Sequence, residues 1–301
     1  MLELSGDPGE SVPDQGSMTL RFGGDTLNTA VYLARLGVHS AYVTALGDDG
    51  MSDWMVRQWQ SEGVDCTYVR RLPDSVPGLY MIRVDNLGER SFLYWRDQAP
   101  VRRFFEDESQ VIKLFESLNG FDWVYLSGIT LALFNNADRE KLLARLERYR
   151  EQGGKIAFDG NYRPRLWEDH REARVAFERA YRMSELALPT VDDEVLLFGD
   201  DDSEAVARRL QNLGVPEIVL KIGPDGCIVI ANSIKEPVPT RAVTVKDTTA
   251  AGDSFNAGYL AARCRGDEPV LAARAGHRLA STVIQYSGAI IPKRAMPVSS
   301  D

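Results

Sequence analysis

Apolar and polar positions change period along this chain, and each change marks an element. Ser17-Met18-Thr19-Leu20-Arg21-Phe22 alternates, which predicts a short strand. After Gly23-Gly24-Asp25 the period becomes helical, with Leu27, Ala30, Val31 and Ala34 on one face and Gly37 at the end. Ala41 to Leu46 predicts a strand, Gly47-Asp48-Asp49-Gly50 a turn, and Met51 to Glu62 a helix whose core stripe is Met51, Trp54, Met55 and Trp59. Leu79 to Val84 and Ser91 to Trp95, around Asn86-Leu87-Gly88-Glu89, predict a hairpin. Beyond residue 121 the apolar runs at 122–127, 155–159, 186–189 and 217–221 are short and nearly continuous, as in buried parallel strands. Helical stretches at 138–152 and 203–213 separate them. Val243-Thr244-Val245 predicts a further strand before a small-residue turn and a helix, and residues 1–16 read as a loop. Strands alternating with helices predict an α/β fold, a doubly wound, mostly parallel sheet flanked by helices. Ligands then sit beyond the carboxyl ends of the strands.

Composition narrows the function classes. The chain has 301 residues, 44% hydrophobic and 26% charged, with a net charge of −9. That is ample apolar material for a core, and the acidic balance argues against a nucleic-acid partner. No apolar run approaches membrane-spanning length. Three scattered cysteines, Cys66, Cys227 and Cys264, have no metal-ligand spacing and suit a reducing cytoplasm, and His39, His170 and His277 are too far apart in sequence to suggest a metal site.

Candidate chemistry gathers in Asp247-Thr248-Thr249-Ala250-Ala251-Gly252-Asp253-Ser254-Phe255. Small residues at a helix start let several N–H groups converge on an anion, helped by the helix dipole. Asp253 there has two readings, a helix cap or a carboxylate that takes the proton of a hydroxyl attacking a phosphoryl group. Asp25 likewise reads as a cap or as a hydrogen-bonding partner of a small polar ligand at the Gly23-Gly24 turn. Arg163 and Arg165, in Asp159-Gly160-Asn161-Tyr162-Arg163-Pro164-Arg165-Leu166-Trp167, read by themselves as solvated loop charges.

The stretch from Asp247 to Phe255 resembles the C-terminal signature of the ribokinase-like (PfkB) carbohydrate kinases, and the likeness covers nearly the whole chain. It implies one kinase domain over residues 1–301, with lid strands from about 17–23 and 77–97 inserted and folding over the sugar. Gly47, Asp49 and Gly50 approximate the family's N-terminal signature. The resemblance implies that Asp253 is the catalytic base and that the amides of Ala250, Ala251, Gly252 and Asp253 form the anion hole. It assigns Gly24, Asp25, Thr26, Leu27 and Asn28 to the sugar. It assigns Asn161, Tyr162, Arg163, Thr190, the loop Lys221-Ile222-Gly223-Pro224-Asp225-Gly226-Cys227, and His277 to the nucleotide side. Ala250 stands where Gly is more frequent, which is tolerated if only its N–H is used.

Pro-Gly-Leu-Tyr at 77–80 and Tyr-Trp-Arg at 94–96 narrow the resemblance to members that phosphorylate 2-keto-3-deoxygluconate. Tyr80, Tyr94, Trp95, Arg96 and Arg163 would contact that sugar acid, and Asp253 would take the proton of its 6-hydroxyl. ATP and Mg2+ are the implied cofactors, with no metal site of the protein's own. A homo-oligomer through the lid is implied, because the aromatic hairpin also reads as a subunit contact. A neutral-sugar kinase (fructokinase or ribokinase) and a non-catalytic sugar-binding protein are the alternative readings. Family members begin with a full apolar strand, and here the chain starts at the piece that follows it, Met1-Leu2-Glu3-Leu4-Ser5. That first sheet strand is therefore expected to be missing, as a misplaced start codon would leave it.

Overall fold

The computed structural model describes residues 1–5, 18–84, 90–232 and 234–297. The rest of the expected loop at 1–16 and the hairpin turn at 86–89 lie outside the described residues. The chain divides into two compact units, one of Met1–Arg35 with His39–Asp107, the other of Leu36–Val38 with Glu108–Asp301.

The first unit holds β1 (Leu2–Ser5), β2 (Thr19–Phe22), α1 (Asp25–Arg35), β3 (Thr44–Gly47), α2 (Gly50–Ser61), β4 (Val69–Leu72), β5 (Leu79–Val84) and β6 (Arg90–Trp95). Four strands form one sheet in the order β2-β1-β5-β6, with β1 parallel to β5 and the other pairs antiparallel. The segments expected as lid strands pair in this sheet, with one difference from the expected elements. Leu2–Ser5, read as loop, is a strand in the middle of the sheet. Four residues are too few for a periodic signal, and pairing on both sides fixes the strand instead. β3 and β4 form a separate parallel pair. Asp49 caps α2, its carboxylate accepting from the N–H groups of Met51 and Ser52 at 2.8 and 3.1 Å. Burial raises that carboxyl, but the hydrogen bonds from Ser52 and Met51 outweigh it and hold the group below the usual carboxylate range. Met55 and Trp59 are buried as expected, whereas Met51, in the first turn, is exposed.

The second unit contains α3 (Glu108–Ser117), β7 (Trp123–Ser127), α4 (Gly128–Ala132), α5 (Asn136–Glu151), β8 (Lys155–Asp159), α6 (His170–Met183), β9 (Leu186–Ala187), α7 (Val191–Phe198), α8 (Ser203–Asn212), β10 (Glu217–Lys221), β11 (Cys227–Ala231), β12 (Ile234–Val238), α9 (Ala251–Cys264) and α10 (Pro269–Val283). Its six-stranded sheet runs β12-β11-β10-β9-β8-β7, parallel from β7 to β10 and antiparallel for β11 and β12. Phe158 of β8 packs edge-on against Phe177 and Tyr181 of α6, with ring centroids 5.4 and 4.9 Å apart, and Tyr162 and Trp167 join the same cluster. Val243-Thr244-Val245 forms no strand. That stretch is exposed or half-buried, and the chain after it is tied by the Lys246 and Asp247 N–H groups to the Ile284 carbonyl past α10. β-branched residues favour a strand only where a neighbouring strand is in reach. Among the described residues no helix is long and apolar enough to cross a membrane.

Candidate active site

In the second unit the parallel strands deliver their carboxyl ends to one side of the sheet, and the candidate residues follow β8, β9 and β10 there. The small-residue turn before α9 is held by Asp247, which is buried. One of its oxygens accepts from the Thr249 N–H at 2.9 Å and the other from the Gly288 N–H at 2.6 Å. Ala250 then takes a left-handed conformation, φ 60°, and turns the chain into α9. Asp253 sits in the first helical turn at 9% exposure. Of the four amides expected to face an anion, Ala251 donates to the Thr248 carbonyl at 3.1 Å and so closes the turn itself. Among the described residues the Ala250 and Gly252 N–H groups have no acceptor, which leaves them for a ligand. The helix dipole adds a positive potential at the same place.

The loop after β10 is set by glycine geometry. Gly223 has φ 61° and Gly226 φ 104°, and a Cβ at Gly226 would stand 2.3 Å from the Val238 carbonyl oxygen. That carbonyl also meets His277 Nε2 at 3.0 Å, and the His277 ring lies 4.9 Å from that of Phe255. Burial lowers the His277 pKa, against the opposing effect of the Val238 bond. His277 of α10 thus packs against β12 and α9. Cys227 is buried as well, and burial pushes its thiol up to about 12. The exposed Gly223, Pro224 and Asp225 are the reachable part of the loop.

Other candidates sort by where their side chains go. Tyr162 is buried, with its hydroxyl 2.7 Å from His170 Nδ1 and its ring against Phe177, so only its backbone is left for a ligand. Asn161 holds φ 38° at the end of β8's turn. Thr190 precedes α7 and bridges to Lys221. Arg163 donates from Nη1 to the Tyr162 carbonyl at 2.8 Å and to both oxygens of Asp193 at 3.1 and 3.2 Å. Asp193 was not singled out in the sequence, although the acidic start of α7, Asp192-Asp193-Glu194, was a signal for it. Burial raises its carboxyl, with the Arg163 guanidinium opposing.

In the first unit, Gly24 stands just before α1, accepting the Asn28 N–H on its carbonyl at 2.7 Å, and Asp25 occupies the first turn, as helix charge preference favours. Thr26 meets Tyr42 hydroxyl to hydroxyl at 3.2 Å. Leu27 is buried and contributes backbone only. Tyr80 faces Tyr94 across β5 and β6, ring centroids 6.1 Å apart, and the Arg96 guanidinium lies 4.3 Å from the Tyr94 centroid. Trp95, by strand alternation, is on the opposite face at 54% exposure and does not join the pair. Tyr80 donates its phenolic proton to Glu3, a buried carboxylate that the sequence reading passed over.

Residues 2–296 match the pfkB family carbohydrate kinase profile. The chain belongs to that family. It is 48% identical over 286 residues to the 2-dehydro-3-deoxygluconokinase of Escherichia coli strain K12, covering 92% of each chain. It is 38% identical to the protein of that name from Haemophilus influenzae, over 98% of this chain and 94% of the other. The crystal structure of 2-dehydro-3-deoxygluconokinase from Thermotoga maritima superposes with a TM-score of 0.84 at 20% identity, covering 97% of this chain and 93% of that one, which is a likeness of fold. The pfkB assignment makes the chain an ATP-dependent sugar kinase.

Proposed function

We propose that this pfkB kinase moves the γ-phosphoryl group of ATP to the 6-hydroxyl of 2-keto-3-deoxygluconate. The observation that carries the chemistry is the buried Asp253 carboxylate one residue after the open Gly252 N–H at the start of α9. Asp253 accepts the hydroxyl proton as the sugar oxygen bonds to the γ-phosphorus. The bond to the β–γ bridging oxygen breaks, and ADP leaves with that oxygen's charge. The Ala250 and Gly252 amides and the α9 dipole stabilise charge on the transferring oxygens. Magnesium enters as part of the ATP substrate. Mg2+ commonly keeps several waters and would be held chiefly by the substrate phosphates.

The acid substrate is supported by the name of the relatives at 38–48% identity and by Arg163 and Arg96. Arg offers a planar fork that matches a carboxylate, and a site built for one disfavours a ligand without it. Purified protein with magnesium, ATP and a panel of sugars and sugar acids tests the reading. The expected result is the highest kcat/KM on the keto-deoxy acid, with Arg163→Ala and Arg96→Ala lowering it far more on the acid than on fructose. Faster turnover of fructose or ribose by the wild type would overturn the acid assignment. Absence of any ATP turnover would favour a sugar-binding protein. The reading also includes a cytoplasmic enzyme with free thiols, and association of copies through the lid face that exposes Leu93 and Trp95. Sedimentation of wild type and Trp95→Ser measures that association.

A further inference from the structure

Four elements of the second unit converge on one hydrogen-bonded ring beneath the anion turn. Lys221, the last residue of β10, is 9% exposed, and its Nζ donates to Asp159 Oδ1 at 3.0 Å and to Asn256 Oδ1 at 3.3 Å. Asp159, the last residue of β8, and Asn256, three residues after Asp253 on α9, are both buried. Asn256 Nδ2 donates to Asp159 Oδ2 at 2.9 Å and to the Tyr125 hydroxyl of β7 at 3.0 Å. A Cβ built on Gly252 would stand 3.7 Å from Lys221 Nζ. The ammonium thus lies close to the Gly252 backbone.

A buried ion pair is a poor device for stability alone, since apolar groups of the same volume commonly serve as well or better. An ammonium has three N–H donors, and Asp159 and Asn256 take two of Lys221's. We propose that Lys221 is a catalytic residue of the phosphoryl transfer. Its remaining N–H binds a γ-phosphoryl oxygen that also accepts from Gly252, while Asp159 and Asn256 are positioning residues that hold the ammonium there. Positive charge fixed in advance where negative charge develops lowers the barrier, and the ring fixes it without freezing a flexible side chain at each turnover. The proposal rests on the kinase reading of the α9 turn but not on the identity of the sugar.

Calorimetry on the full-length protein with magnesium separates the two. The probes are ADP and the non-hydrolysable β,γ-imido analogue of ATP, on wild type, Lys221→Met, Lys221→Arg and Asp159→Asn, together with kcat and both KM values. Lys221→Met is expected to lose at least about tenfold in affinity for the analogue and less than about threefold for ADP. Its kcat should fall about 10²–10³-fold, with the KM for the sugar nearly unchanged. Lys221→Arg should recover part of the analogue's affinity. Asp159→Asn, which keeps the cation but loosens the ring, should keep the preference for the analogue over ADP. If Lys221→Met strands the Asp159 carboxylate and does not fold, the double variant Lys221→Met/Asp159→Asn removes both charges and is read by the same ratio. An unchanged analogue-to-ADP ratio together with wild-type kcat in a folded Lys221 variant overturns the proposal and leaves a structural prop. Retained analogue preference in a protein that rejects the keto-deoxy acid would sink the substrate reading and leave Lys221's role standing.

Discussion

Ala250 holds a left-handed backbone at the start of α9. At φ 60° it sits where an L-residue costs about 1–2 kcal/mol. The sequence suggested that Ala serves there because only its N–H is needed, and the dihedral adds that Gly would sit more easily. Ala250→Gly relieves that strain but gives back about 0.4–1 kcal/mol of unfolded-chain entropy. The expected outcome is a denaturation midpoint equal to or slightly above wild type with activity retained, whereas Ala250→Val should lower both. Asp253→Ala should cut kcat by about 10²–10⁴ while nucleotide binding, read by calorimetry, stays largely intact. Near-normal turnover in that variant would remove Asp253 as the base. The sequence pattern placed Asp253 at a helix start and Tyr80 on a hairpin strand, as observed. The directions of Tyr162 and Trp95 were not carried by the motif. Period-two alternation places Tyr94 and Arg96 together and Trp95 apart, and the aromatic core under β8 claims Tyr162.

Between elements, a charged tie joins the start of β10 to the end of α9, away from the site. Glu217 Oε1 accepts from the Tyr259 hydroxyl at 2.6 Å and from Arg263 Nε at 2.9 Å, and Glu217 Oε2 accepts from Arg263 Nη2 at 2.8 Å. Glu217→Ala strands a guanidinium and a phenol that are mostly buried, so a loss of about 2–3 kcal/mol in a denaturant titration is expected. The pair replacement Glu217→Leu/Arg263→Met should cost less than that single change, and the opposite order would show that packing, not pairing, dominates. None of this was legible from the sequence, because the partners are 46 residues apart and neither lies in a motif. The elements themselves were legible to within a residue or two where the period was long, as in α1, α8 and β10. They were misread where three or four residues had to decide alone. Val243-Thr244-Val245 lacks a strand neighbour, and Leu2–Ser5 has one on each side.

At the scale of the whole molecule, strand–helix alternation foretold a mostly parallel sheet, in which β8 and β10 end in Asp159 and Lys221. The Gly-rich turn after β10 returns the chain as β11, and β11 and β12 form the antiparallel edge of the sheet. β12 reads as polar and exposed, a pattern shared with loops. Its far end is where acid should first act on the fold. His277 of α10 meets the Val238 carbonyl there, and burial holds its pKa below the ordinary 6.5. The unfolded chain therefore takes up a proton near pH 6.5 that the folded ring accepts only at lower pH. More protons are bound in the unfolded state across that window, so stability rises with pH through it. The His277 contribution is complete above about pH 6.5 and is lost as the pH falls towards the folded value. Gln at 277 keeps a donor for the Val238 carbonyl and does not titrate. Thermal melts from pH 8 to pH 5 should show the wild-type Tm falling more steeply below pH 6.5 than that of His277→Gln, with the two curves parallel above it. Curves that stay parallel down to pH 5 would show that the ring titrates alike in both states and that acid lability arises elsewhere in the fold.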